Sequence, residues 1–259
     1  MANLNTGTML VPNRTVPGAV TDGIEQELRG GRYREAYVMS MIRKQHLLAD
    51  EGSYRVASAG GQTGIISSSA TGFVATTPAA IVYNSDSPGN AAAKRVYLDY
   101  MNLVTTVVGS AASGLVNLQG AIYLDQGNRY VSGGTNITAN IENPNNDLNN
   151  ASVAQIFFGN ITAAAATGAF RALVPLRVIR PAVSATVLDV VGETKWFNFG
   201  GVEGALNGSI TVANANFITV PLPPVIIGPN QCALVYLWQN VGATNVAATY
   251  APEIGYFER

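Results

Sequence analysis

Short runs of apolar and β-branched residues, separated by Gly, Asn, Ser and Pro, make up most of the chain after residue 60. Strands at such spacing, with turn residues between them, are typical of an antiparallel sandwich or barrel. The sequence therefore predicts a mainly β protein. The predicted strands are Ile65–Ile66, Phe73–Thr76, Ala80–Tyr83, Arg95–Val108, Leu115–Leu124, Gln155–Phe158, Phe170–Ile179, Thr186–Val191, Trp196–Phe199, Ile210–Val212, Phe217–Val220, Val225–Ile227, Ala233–Gln239 and Ile254–Phe257.

Residues 1–60 have a different pattern, because they hold 13 of the 31 charged side chains and no clear strand signal. Up to about Gly18 the segment has no periodicity, which predicts an extended arm. Arg34–Leu48 carries apolar residues at helical spacing and has Glu35 in its first turn, so it predicts the only long helix. We therefore expect an N-terminal arm and helix over residues 1–60 and an antiparallel β-sandwich over residues 61–259.

The segment from Phe217 to Trp238 indicates how the β domain closes. Prolines at positions 221, 223 and 224 cannot donate hydrogen bonds to a neighbouring strand, so this crossing is expected at a sheet edge or corner. A turn at Gly228–Asn230 is then expected to lead into a strand that begins near Cys232.

The composition points to association with other subunits. Charged residues make up 12% of the chain, against roughly 25% in an average soluble protein, and the formal net charge is −1. Such a surface offers little electrostatic repulsion between copies. We therefore expect a stable homo-oligomer.

Two classes of partner are not expected from the charge and hydropathy patterns. The chain lacks the basic excess that drives nucleic-acid binding, so no such binding is expected at physiological salt. Every apolar run is interrupted before it reaches the length of a spanning helix, and the first residues do not resemble a signal peptide. No membrane partner is expected either.

Residues suited to catalysis or metal binding are scarce. His46 is the single histidine and Cys232 the single cysteine, which is too few for a zinc site or a histidine-dependent nucleophile. We expect His46 on a helix surface and Cys232 in the core. Asp125 begins a segment that could form a weak calcium loop, but a hairpin turn explains the same residues. No catalytic residue, metal or cofactor is therefore predicted.

Four stretches of the chain share one resemblance, namely Arg32–Val38, His46–Gly52, Pro223–Pro229 and the closing Glu253–Arg259. Together they resemble uncharacterised structural proteins of tailed bacteriophages. The resemblance covers most of the chain and implies a minor virion protein, such as a capsid decoration or cement protein or a head or tail appendage. It also implies a jelly-roll-like homotrimer that is assembled in the host cytoplasm, with an arm that docks on the major capsid protein or another virion protein.

Three other functions compete with this hypothesis. A carbohydrate-binding or receptor-binding head would be supported by rows of exposed Trp or Tyr near Asp and Asn. A complete jelly-roll coat protein would need a basic arm, whereas residues 1–60 carry 7 basic and 6 acidic residues. An enzyme would have to use scattered carboxylates, and no pair of them stands out.

The N-terminal segment is where we expect specificity for a partner. Its arginines suit interface carboxylates and carbonyls, because a guanidinium can form two parallel hydrogen bonds. An alternative is that the helix packs beneath its own β domain. The predicted partner-binding residues are Arg29, Arg32, Arg34 and Arg43.

Overall fold

A computed structural model describes residues 44–59, 64–70, 72–109, 118–145, 151–166, 170–180, 190–200, 217–239 and 246–259. Strands dominate this part of the chain, which confirms the prediction of a mainly β protein. In chain order the elements are α1 (Lys44–Asp50), β1 (Tyr54–Ser58), β2 (Ile66–Ser67), β3 (Ala80–Asn84), β4 (Val96–Val107), β5 (Leu118–Asp125), β6 (Tyr130–Asn136), a 3-10 turn (Thr138–Asn140), β7 (Ile141–Glu142), β8 (Ala154–Ala163), β9 (Phe170–Arg180), β10 (Thr194–Phe199), β11 (Phe217–Leu222), β12 (Val225–Ile227), β13 (Cys232–Gln239) and β14 (Thr249–Glu258).

The strands form two sheets. Sheet I has the order β11-β10-β4-β14-β1-β7, with β12 paired to β4 and β2 paired to β14. Sheet II has the order β6-β8-β3-β13-β5-β9. All described pairs are antiparallel except β10 with β11, so the prediction of largely antiparallel sheets is confirmed.

One hydrophobic cluster contains residues from both sheets. Sheet I contributes Leu98 and Ile254, and sheet II contributes Ile122, Ile156 and Leu237. These residues alternate along their strands with residues that point to the opposite side, as the two-residue period of a strand requires. The two sheets therefore share a core, and each also has an outward side.

The proline-rich crossing lies where the sequence predicted it. Strand β11 is at the end of sheet I, and β12 pairs with one end of β4. Asn230 has a φ of 56° in the following turn, and the Gln231 amide donates to the Gly228 carbonyl at 3.1 Å. The chain then enters β13, in the middle of sheet II. The turn thus carries the chain from one sheet to the other.

Other predictions differ from the structure. Phe73–Thr76 is not a strand but part of an irregular segment, in which the Thr77 amide donates to the Val74 carbonyl at 3.2 Å. Strands β1 and β6 were not predicted. Residues 190 and 191 are not in a strand, and the rest of the predicted strand Thr186–Val191 lies outside the described residues, as does Ile210–Val212.

The compact β unit begins earlier than the predicted residue 61. The chain divides into two compact units between Glu51 and Gly52. Residues of β1 belong to the second unit, because Tyr54–Ser58 pairs with β14 along its whole length. Helix α1 ends at Asp50, and the predicted arm and residues 34–43 of the predicted helix lie outside the described residues.

Candidate interaction surfaces

The outward side of sheet I carries aromatic side chains next to carboxylates. Along β4, Leu98 and Met101 are buried in the shared core, while Tyr97 and Tyr100 are half-buried on the other side. The alternation of buried and outward side chains along β4 is interrupted at Asp99, where the pairing of β4 with β14 shifts register. Tyr97 and Tyr100 therefore both face outward.

Two stacked ring pairs lie on this side. The Tyr100 and Trp196 rings are 4.4 Å apart and inclined by 14°, and the Tyr97 and Phe257 rings are 4.7 Å apart and inclined by 2°. The aromatic partners come from three adjacent strands, β10, β4 and β14. We call the patch formed by Tyr97, Asp99, Tyr100, Asn102 and Glu253 the acidic aromatic face.

Tyrosine hydroxyls orient both carboxylates. Tyr54 donates to Asp99 Oδ2 at 2.8 Å, and Tyr100 donates to Glu253 Oε1 at 2.8 Å. Burial, and next the hydrogen bond to a carboxylate, raise the pKa of Tyr54 and of Tyr100 well above the ordinary value of 10.0. The two tyrosines therefore remain protonated donors at neutral pH.

Gly255 provides the space for this arrangement. A Cβ atom at Gly255 would lie 2.2 Å from Tyr100 Cε1 and 2.7 Å from the Tyr54 hydroxyl oxygen. Both tyrosines thus approach the β14 backbone at the position that has no side chain.

A second apolar layer lies on the outward side of sheet II. Ile81, Leu234, Tyr236 and Trp238 form a separate hydrophobic cluster, which is distinct from the shared core. Phe73 packs on it, with its ring 5.0 Å from that of Tyr236 and 5.3 Å from that of Trp238. Strand β13 is therefore buried on both sides.

Residues 72–77 cover this layer, and we call them the 72–77 loop. The Ala75 carbonyl accepts hydrogen bonds from the Tyr236 hydroxyl at 2.9 Å and from Arg129 Nη2 at 3.3 Å. Although the loop is anchored, Phe73 remains 42% exposed and Val74 40% exposed. The loop therefore presents a fixed apolar surface to solvent.

The segment after Asp125 does not form the hairpin turn that the sequence suggested. Strands β5 and β6 are not neighbours, since β13, β3 and β8 lie between them, so the predicted hairpin is wrong. Asp125 accepts from the Gly127 amide at 3.2 Å and lies 3.6 Å from the Arg129 guanidinium. The Asp125 carboxylate thus has the cationic side chain of Arg129 beside it.

Other reactive side chains are also held in structural contacts. Cys232 is buried and donates to the Gly127 carbonyl at 3.2 Å, and burial raises the pKa of its thiol to about 11. This confirms its predicted place in the core.

Lys195 and Glu193 are both fully buried and 2.8 Å apart, and Lys195 also donates to Thr105. Exposed His46 lies on α1, as predicted.

A cleft of about 300 Å³ lies between β2 and β8. Hydroxyl groups of serine and threonine line it, and Asn160 contributes with the unusual φ of 41°. None of the described residues that line it is a histidine, a carboxylate or a cationic residue. This described lining therefore offers no pair of acid and base.

The partner-binding prediction falls outside the described residues, because Arg29, Arg32, Arg34 and Arg43 all lie in residues 1–43.

Across the described ranges, no group of three His, Cys, Asp or Glu side chains is placed to hold a metal ion. In the same ranges no helix is long and apolar enough to cross a membrane. Spacing in the sequence does not pair Tyr100 with Trp196 or Phe73 with Tyr236, because these contacts depend on the register of the strands and on the position of the 72–77 loop.

Comparison with known proteins identifies no family for the chain. No protein-family model matches it, and no curated protein or solved structure is significantly similar to it.

Proposed function

We propose that this chain is a non-enzymatic structural protein of a virus particle, acting as a decoration or cement protein, or as an appendage, of a tailed bacteriophage. The proposal is supported by the resemblance of four chain segments to such proteins and by the low fraction of charged residues, 12%. In this proposal the two sheets form a jelly-roll-like sandwich, and residues 1–51 include the arm that docks on the major capsid protein or a neighbouring virion protein.

The observation that carries the proposal is the exposed apolar surface of the 72–77 loop. Phe73 contacts three aromatic rings of sheet II, yet it leaves 42% of its surface in water. An aromatic side chain already fixed by its neighbours loses little conformational entropy when a partner covers it. We therefore assign this loop to the contact between copies in a homotrimer.

Sedimentation velocity of two matched valine variants tests the subunit contact. Val74→Asp puts a charge into the proposed interface and is expected to raise the dissociation constant of the oligomer at least about tenfold. Val107→Asp alters another exposed valine, 53% exposed at the end of β4 in sheet I, and is expected to leave assembly unchanged. A protein that sediments only as a monomer at micromolar concentration would contradict the oligomer.

Particle incorporation tests the virion role separately. Deleting residues 1–20 is expected to leave a folded oligomer, with a melting temperature within a few degrees of the full chain, but to reduce its occupancy on particles. Electron microscopy of particles reconstituted with each form measures that occupancy. Full occupancy by the shortened form would remove the role assigned to the arm.

A further inference from the structure

The acidic aromatic face of sheet I carries two carboxylates, Asp99 and Glu253. Asp99 and Glu253 each accept one hydrogen bond from a tyrosine, which leaves the second oxygen of each carboxylate for another donor. Within the described residues, neither carboxylate forms an ion pair. Both tyrosine donors approach Gly255, so the two carboxylates flank one position of the sheet.

The neighbouring aromatic rings favour the same kind of ligand as the carboxylates. The face of an aromatic ring carries negative electrostatic potential, and it attracts a cation placed over it. Tyr97 and Tyr100 come from the same strand as Asp99 and are half-buried, so ring surface and carboxylate lie side by side. A cationic group would gain from both.

Asn102 adds an acceptor to this face. Its register partners are Trp196 on one side and Glu253 on the other. The Asn102 Oδ1 atom is shielded from water and has no hydrogen-bond partner among the described residues. A buried acceptor without a donor is unfavourable, and the partial negative charge of this oxygen adds to the potential that attracts a cation to the face.

We propose that the acidic aromatic face binds an arginine side chain of a partner protein, whose guanidinium stacks beside Tyr97 and Tyr100 and donates to Asp99 and Glu253. A guanidinium is planar, has five N–H donors and no acceptor, and stacks on aromatic rings. A sugar hydroxyl adds an acceptor with each donor and carries no charge, so it matches two neighbouring carboxylates less well than a guanidinium does. This site lies on sheet I and does not depend on the subunit contact proposed for sheet II.

Nuclear magnetic resonance titration of the full chain with short blocked peptides tests the site. The probe is acetyl-Gly-Arg-Gly-amide, and the same peptide with neutral citrulline in place of arginine is its isosteric control. We expect saturable shifts of the Tyr97, Tyr100 and Trp196 side-chain signals with a millimolar dissociation constant, weakened by added salt. The citrulline peptide should give none of these shifts.

Matched variants distinguish binding at this site from a general effect of the protein's net charge. The Asp99→Asn and Glu253→Gln double variant keeps an acceptor for each tyrosine and should weaken binding about tenfold or more. Glu142→Gln removes an exposed charge from the edge strand β7 and should not change binding. Equal shifts with arginine and citrulline, unchanged binding in the double variant, or shifts with neutral oligosaccharides but not with the arginine peptide would each overturn the proposal.

Discussion

Gly255 is the residue at which the acidic aromatic face depends most directly on side-chain size. Because a Cβ would lie 2.2 Å from Tyr100, Gly255→Ala must displace that ring and is expected to destabilise the fold by about 1–3 kcal/mol. Gly127→Ala is the control, since a Cβ there meets no atom within 4 Å. Chemical denaturation of both variants measures the difference. Equal stability of the two would contradict this account of Gly255.

A second prediction at this scale concerns Tyr236 and alkaline pH. Burial raises its pKa from the ordinary 10.0 to about 12, so the neutral form is favoured in the folded state. The neutral Tyr236 side chain makes its full contribution to the free energy of unfolding below about pH 10. As the pH rises from about 10 toward 12, that contribution falls by about 1.4 kcal/mol for each pH unit. Tyr236→Phe also loses the hydrogen bond to Ala75, which costs about 1 kcal/mol at neutral pH.

Denaturation curves measured from pH 8 to pH 12 test this loss of stability, because the range ends at the pKa of about 12. The phenylalanine variant should lose less stability over this range than the parent, because one tyrosine no longer titrates. Parallel losses in the two proteins would show that Tyr236 ionises equally easily in the folded and unfolded states.

Among the elements, β13 should be the most protected strand. All eight of its residues are buried, and it pairs with β3 on one side and β5 on the other. Amides of such a strand exchange only through large-scale opening. Hydrogen exchange followed by mass spectrometry should show slower exchange in β13 than in β6, at the edge of sheet II. Similar rates in the two strands would contradict this ranking.

The sequence predicted a strand or a sheet edge correctly where an apolar run is buried in the structure or where prolines prevent strand pairing. Strand β13 is a continuous apolar run, and the prolines before it mark the edge of sheet I, so both were predicted. Strand β1 was missed because Arg55 interrupts its apolar residues and charged neighbours precede it, although the structure buries that arginine. Phe73–Thr76 has the composition of a strand but forms a loop over sheet II. Its conformation depends on contacts with Tyr236 and Trp238, which are distant in sequence.

The candidate surfaces were less predictable than the strands. Tyr97 and Tyr100 are three positions apart and would point to opposite sides of a regular strand. The irregularity at Asp99 brings them to the same side, and it depends on pairing with β14, which is distant in sequence. Their alignment with Glu253 therefore required the register and could not be read from spacing alone.

For the whole molecule, the position of β1 predicts how far the β unit can be shortened. A fragment of residues 52–259 contains β1, whereas the fragment 61–259 suggested by the sequence pattern lacks it and leaves one edge of β14 without its partner. We expect the longer fragment to fold cooperatively and the shorter one to be clearly less stable. Thermal unfolding followed by circular dichroism compares them, and equal melting temperatures would contradict the role of β1.

The central place of β14 also affects how the protein is made on the ribosome. Strand β14 pairs with both β1 and β4, yet about 190 residues separate the end of β1 from its start, which takes roughly 10–40 s to translate. During that interval the nascent chain has no native partner for these strand edges. Neighbouring ribosomes on the same message hold identical open edges, so translation speed and chaperone access should influence how much correctly folded protein a cell obtains.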